Sequence, residues 1–355
     1  MRWFLGLLLL AAMIAGAYGY GRFFMSNDLE VTRTITIERP RAAVFAMMND
    51  LRIAKEWSPY YARDPDAEFA ISEQPGPGQT MRWVSDVREV GRGRMAIVDT
   101  TEYEQIEAIL DKGDNVRFDS RMDLRRVDTG THVTWTLTAA CREGWINVPC
   151  RYMNLVLQNT IRDELDEGLA RLKTLAEQLP AVDFEGLEII AAPVAPMDVI
   201  FVDLTLASGT APTFADRAAA EAEGINALNN FFASTADAVT RTNEIVRVFP
   251  ANNGANGRYS FSIGYPFSGP APQRLIGVRV GQTPSGAALR VEYEGRRSQI
   301  PIMYQRIHAY MQAHRISARP GAEAWEVVHS TTPPPPDSTY PDDAIERTEI
   351  FFPID

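Results

Sequence analysis

The sequence predicts an α+β protein made of two globular parts behind an apolar N-terminal helix. Three observations carry this. A run of alternating strands is closed by one long amphipathic helix; further on, an order of strand, helix, strand, strand occurs twice; and Trp3 to Tyr20 contains no charged residue.

The N-terminal segment comes first in the chain. Residues 1–24 are expected to be a membrane anchor or signal segment. The uncharged stretch is at the short edge of a spanning helix. Leu5 to Ile14 followed by Ala15-Gly16-Ala17 also fits a cleaved secretory signal. The aromatics Tyr18, Tyr20, Phe23 and Phe24 suit an interfacial belt and favour the uncleaved anchor. Both readings export the remainder, so the soluble parts are expected to be periplasmic or otherwise extracytoplasmic. Cys141 and Cys150 lie close in sequence. An oxidising compartment would let them close the loop between them, and two separate buried thiols is the competing reading.

Composition narrows the class of function. With 355 residues, 45% apolar and 23% charged, the chain has material for two cores. The net charge of −11 comes with no basic cluster of the kind that neutralises phosphates, so nucleic acid is not an expected partner.

Residues 30–180 form the first expected domain. Val31 to Ile37 alternate as a strand. Pro40 stops it and starts a short amphipathic helix through Val44, Phe45, Met48 and Leu51, ending at Trp57-Ser58-Pro59. After a turn-rich passage come antiparallel hairpins: Thr80 to Val87, Arg94 to Tyr103, Gln105 to Leu110, Val116 to Leu124, and Val133 to Ala139. Lys112-Gly113-Asp114 and Asp128-Thr129-Gly130 supply turns. Ile161, Leu165, Leu169, Leu172, Ala176 and Leu179 then recur at helical spacing up to Pro180. A curved sheet gripping one helix encloses space. By strand parity Trp83, Tyr103, Phe118, Met122 and Trp135 face it, with Trp57 at the lid side. Such aromatics suit an apolar pocket and equally a filled core.

These segments resemble the START-like, polyketide cyclase/dehydrase superfamily. The resemblance rests on Ile37-Glu38-Arg39-Pro40, Val44-Phe45, Asn49-Asp50-Leu51, Trp57-Ser58-Pro59, the run to Trp83, Gly130-Thr131 to Trp135, and Glu167-Gly168-Leu169-Ala170. It implies a helix-grip fold with a cavity for apolar molecules. Catalysis would need an acid/base pair in that cavity. Asp99, which shares strand parity with Tyr103, is the one inward carboxylate the pattern offers, and solvent exposure at a strand end or bulge competes with that reading. No nucleophile triad and no metal-spaced His/Cys set occurs, so no catalytic residue, metal or cofactor is assigned.

Residues 181–187 read as a short linker and 188–355 as the second domain. Strands are expected at Asp198 to Leu206, Ile245 to Phe249, Tyr259 to Tyr265, Leu275 to Val280, Ala288 to Tyr293, Ala324 to His329 and Arg347 to Phe352. Helices are expected at Phe214 to Phe232 and Gln299 to His314. Loops fall at Gly209 to Pro212, Asn252 to Gly257 and Pro333 to Pro336. This half resembles the GyrI-like effector-binding domain, as in AraC/BmrR-type proteins, through Val291-Glu292-Tyr293-Glu294-Gly295, Ala324-Trp325-Glu326-Val327-Val328 and Thr348-Glu349-Ile350-Phe351-Phe352-Pro353. That likeness implies a pocket between pseudo-symmetric halves, with Tyr293, Tyr304 and Glu326 as ligand contacts. Glu326 has the opposite parity to Trp325 and Val327, so it can face a pocket only if those two pack elsewhere. Arg296-Arg297 stands where the family has an aromatic. The expected function is binding or sensing of a small apolar or amphipathic ligand by a membrane-anchored protein; a cyclase/lyase or a small-molecule hydrolase is the alternative.

Overall fold

The computed structural model describes residues 2–113, 116–207, 213–234, 239–249, 258–332 and 344–355. The chain separates into two compact units, Met1–Glu185 and Gly186–Asp355.

In the first unit, helix α1 (Arg2–Phe24) is followed by strand β1 (Asp28–Ile37). Three short helices come next, α2 (Arg41–Met48), α3 (Leu51–Trp57) and α4 (Pro59–Arg63). One amphipathic helix was expected here, and Asp50 is the reason it is broken. Its carboxylate accepts the Arg52 N–H at 2.9 Å as an N-cap, and the Gln79 side chain bridges Asp50 and the Leu51 N–H. Pro59 opens α4 instead of ending a helix: proline is tolerated at the first helical position, and Ser58 before it is extended.

The strands β2 (Glu68–Ile71), β3 (Thr80–Val84), β4 (Arg92–Thr101), β5 (Gln105–Lys112), β6 (Val116–Val127) and β7 (Gly130–Ala140) form an antiparallel sheet with β1. Its order is β1-β7-β6-β5-β4-β3-β2. Phe118, Ser120, Met122 and Leu124 are buried along β6 while their neighbours are not, which is the alternation of a half-buried strand. The interior face lies against α5 (Val148–Ala176). This helix starts well before the expected Ile161, because Met153 to Thr160 is helical without burying a regular apolar stripe. Cys141, after β7, is disulfide-bonded to Cys150 in the first turn of α5. Beyond α5, Phe184 is buried and Glu185 pairs with Arg41 at 2.6 Å, tying that stretch to the first unit.

The second unit contains β8 (Ile190–Val194), β9 (Asp198–Ala207), α6 (Phe214–Ser234), β10 (Thr240–Arg241), β11 (Ile245–Phe249), β12 (Arg258–Ser268), β13 (Arg279–Gln282), β14 (Gly286–Arg296), α7 (Ile300–Ala313), β15 (Ala324–Thr332) and β16 (Ile345–Pro353). The main path of the sheet runs β13-β9-β12-β11-β15-β16-β14-β8. Two sets of strand, helix, strand, strand thus meet at the antiparallel β11–β15 ladder, each half contributing the same strand order outward from the seam. Leu275 to Val280 was expected as a strand; pairing with β9 is confined to Arg279–Gln282. The loops expected at 209–212, 252–257 and 333–336, and Asp114 of the expected hairpin turn, lie outside the described residues.

One face of this sheet packs under the helices, Ile200 and Ile263 with Leu228 of α6, and Leu289 and Ile350 with Ile307 of α7. The other face carries Phe201, Val246, Val248, Val327, and Trp325 stacked on Phe351 at 4.8 Å.

Candidate functional site

The two units differ in what their interiors hold. In the first, Trp57 of α3, Trp83 of β3 and Trp135 of β7 converge on a space of only about 30 Å³, room for about one water molecule. The rings fill what the curvature encloses. Trp57 meets Trp135 edge-on at 5.6 Å, and Tyr60 stacks on Trp83 at 4.7 Å. Each indole N–H is satisfied, by the Met47 carbonyl, the Val90 carbonyl and the Ser120 hydroxyl respectively for Trp57, Trp83 and Trp135.

The remaining predicted residues of this unit lie elsewhere. Met122 is wholly buried among apolar neighbours away from that space. Phe118 borders a different, open cleft of about 310 Å³, shared with Cys150, Met153 and Leu157. Tyr103 is not on a strand face: it sits in the β4–β5 turn with φ 60° and packs edge-on against Phe45. A β-bulge between Ile97 and Asp99 shifts the parity that would have turned Asp99 inward, and Asp99 is exposed.

The carboxylate that borders the small space is Glu164 of α5, 4% exposed. It accepts from Lys112 Nζ at 2.6 and 2.8 Å and from the Tyr60 hydroxyl at 3.1 Å. Burial, then the adjacent Glu164 charge, pushes the Tyr60 phenol well above its ordinary pKa. The sequence signal was its place on the buried stripe of α5, between Ile161 and Leu165.

In the second unit a cavity of about 300 Å³ opens between the helices and the sheet. Phe214, Phe249, Tyr259, Phe261 and Tyr304 supply aromatic walls, and Arg217, Glu221, Arg247, Arg297 and Glu326 supply charge. Arg247, at the centre of β11, is 3% exposed and faces Glu326 across the seam. Its guanidinium donates to Glu346 at 2.7 and 2.8 Å and to Glu326 at 3.1 Å. Its Nε lies 3.0 Å from Glu221 Oε2 as an ion pair without hydrogen-bond alignment. Arg297 also pairs with Glu221. Burial works against the Arg247 charge, yet the three glutamates outweigh it and raise its pKa further. This guanidinium therefore stays cationic.

Glu326 reaches the cavity because both faces of β15 are covered. Trp325 and Val327 pack on the far face, so the side chain between them points under the helices. Its second oxygen accepts the Tyr304 hydroxyl at 2.9 Å. Burial raises the Glu326 pKa, and Arg247 and Tyr304 work against that rise. For Tyr304, burial and then Glu326 push the phenol well above its usual value. Tyr293 does not line the cavity: its hydroxyl donates to the Arg296 carbonyl at 2.7 Å and its ring packs with the cluster beneath α7. Arg247, Glu221 and Glu346 escaped the sequence reading. A charge in the middle of the apolar run Ile245-Val246-Arg247-Val248-Phe249 was the available signal, since such a strand is buried on both faces. Among the described residues no group of three or more His, Cys, Asp or Glu side chains is arranged to hold a metal ion.

Comparison with known proteins bears on the first unit. Residues 28–177 match the family model described as "Polyketide cyclase / dehydrase and lipid transport". A search of curated proteins found no match. Among solved structures, a Mesorhizobium loti protein aligns at 12% identity over 42% of this chain and 97% of its own, with a TM-score of 0.32. A Staphylococcus aureus protein of unknown function aligns at 10% identity over 42% and 94%, with a TM-score of 0.35. The EcmrR–DNA complex aligns at 12% identity over 59% of this chain and 72% of that one, with a TM-score of 0.36. Likeness at this level bears on neither ligand nor reaction. The first unit, over residues 28–177, is thus similar to the polyketide cyclase/dehydrase and lipid transport family.

Proposed function

We propose that this protein is a membrane-tethered binder or sensor of small, largely apolar molecules, with the cavity of the second unit as its ligand site. The observation that carries this is the 300 Å³ space itself, walled by five aromatic rings and floored by a charge cluster already paired internally. Rings of this kind cover an apolar or amphipathic body, and the few buried polar atoms fix its orientation. A basic group on the ligand would meet Glu326 and the Tyr304 ring. The tether is α1, whose Trp3–Phe24 stretch is long and apolar enough to cross a membrane. The Cys141–Cys150 disulfide supports an oxidising, extracytoplasmic compartment for the rest. An enzyme built on Asp99 and Tyr103 gains no support, because Asp99 faces solvent and Tyr103 packs in a turn.

The test is titration of the detergent-solubilised full chain with environment-sensitive apolar and cationic aromatic dyes. Saturable binding is expected, weakened about tenfold or more by Tyr304→Ala. Glu326→Gln is expected to weaken the cationic dyes selectively. Absence of saturable binding across the set, or binding indifferent to both substitutions, would overturn the assignment.

A further inference from the structure

Helix α1 is bolted to the first unit. Arg151, only 7% exposed, donates to the carbonyls of Gly21 at 3.3 Å, Arg22 at 2.9 Å and Met25 at 3.1 Å, and to Asn27 Oδ1 at 3.3 Å. A cation at the end of a helix satisfies the orphan carbonyls and meets the negative end of the dipole. The residue before it is Cys150, held by the disulfide to Cys141, whose own N–H donates to the Asn27 carbonyl at 3.0 Å. The next residue, Tyr152, donates its hydroxyl to the Ala17 carbonyl at 2.6 Å, one turn before Gly21 on α1. Val148 and Tyr152 press on Gly21, where any side chain would collide with them. Trp145 meets Phe23 edge-on at 5.9 Å.

Helix length turns these contacts into a statement about depth. The 22 residues Trp3–Phe24 make a helix of about 33 Å, barely more than a hydrocarbon core of about 30 Å. Holding Ala17 to Phe24 clear of the bilayer would leave about 21 Å, too short to span. The part of α1 that touches Trp145, Val148 and Tyr152 therefore has to sit at membrane depth, and those residues go with it.

The surface beside the junction fits that placement. Trp145, Met153, Leu155 and Val156 are each more than half exposed, at 55, 54, 59 and 66%. Arg151 is already satisfied by backbone carbonyls, as lipid requires of a buried polar group. We propose, resting on the reading of α1 as a membrane span, that the start of α5 with Trp145 is a second membrane contact, a wedge dipping into the bilayer interface and fixing how the first unit stands on the lipid surface. Its partner is the bilayer itself, with Trp145 at headgroup level and Met153 and Val156 among the upper acyl segments.

Site-directed spin labelling of the full chain in phosphatidylcholine–phosphatidylglycerol vesicles tests this. Both native cysteines are in the disulfide, so a new one is the single free thiol. Labels go at Val156→Cys, at Leu9→Cys within the span, and at Asp128→Cys in the β6–β7 turn, at the opposite end of β6 from the cleft beside α5. The Val156→Cys label is expected to collide with oxygen and be shielded from a water-soluble nickel chelate, as Leu9→Cys is, while Asp128→Cys shows the reverse. A water-exposed label at 156 with a lipid-exposed label at 9 overturns the wedge and leaves the anchor standing. Water exposure at position 9 overturns the anchor reading, and the wedge falls with it.

Discussion

Both units lay helices over one face of an antiparallel sheet, yet around its aromatic rings the first closes to about 30 Å³, its cleft of about 310 Å³ lying instead against the first turns of α5, while the second keeps about 300 Å³ open among its rings. The difference lies in what is buried. Apolar side chains in the first unit interdigitate freely, and three indoles with Tyr60 settle into edge and stacked contacts that leave little void. The second unit buries Arg247 among Glu221, Glu326 and Glu346, each carried by a different element. Glu221 on α6 is linked to Arg247 on β11 and to Arg297 before α7, so the cluster works as a strut. Separating those charges from their partners would cost several kcal/mol per ion.

The largest way to break this contrast is Arg247→Met. It leaves three buried carboxylates without their shared cation, and a loss of about 3–5 kcal/mol is expected. Denaturant unfolding followed by domain-resolved hydrogen exchange should show the second unit opening early and the first unchanged. A uniform loss across both units would refute the strut. Next, Leu165→Ala in the first unit removes a side chain that borders the small space. A cost of about 3 kcal/mol is expected, and the enlarged apolar void should take up xenon or benzene. No uptake would mean that the core collapses instead.

The smallest effect is common to both units. Tyr60 and Tyr304 have folded pKa values raised well above the ordinary phenol. Below about pH 10 both states hold the proton and nothing changes. Above it the unfolded chain ionises while the folded one does not, so stability falls by about 1.4 kcal/mol per pH unit for each tyrosine. Tyr60→Phe or Tyr304→Phe should flatten that fall above pH 10, read as melting temperature against pH. Equal slopes for wild type and both variants would contradict the buried placement.

How much of this was legible in the sequence depended on periodicity. Strands β6 and β7 alternate cleanly because one face is buried and the other wet, so their parity could be read residue by residue. The same rule misplaced Asp99, since one bulged residue in β4 reverses every later position and leaves no mark in composition, and Tyr103, which falls in the turn beyond the strand. Helix α5 was readable only where it covers the core; its first turns face elsewhere and lose the stripe. In the second unit the element order and its repetition were visible, and the resemblance pointed to Glu326 and Tyr304. The partners of Glu326 were not, because Arg247 is its neighbour only through sheet pairing and Glu221 only through the fold of α6 over that sheet. Long-range pairing of charges has no local signature.

The seam between β11 and β15 has a consequence for symmetry. Arg247 stands opposite Glu326 at the middle residue of their five-residue ladder. Two identical copies of one half, meeting in the same way, would set like charge against like at that point and repel. Joining both halves in one chain lets the two sides of the pseudo-dyad differ, cation on one and anion on the other. The floor of the cavity at the seam is consequently asymmetric, Arg247 on one strand and Glu326 on the other, beneath aromatic walls.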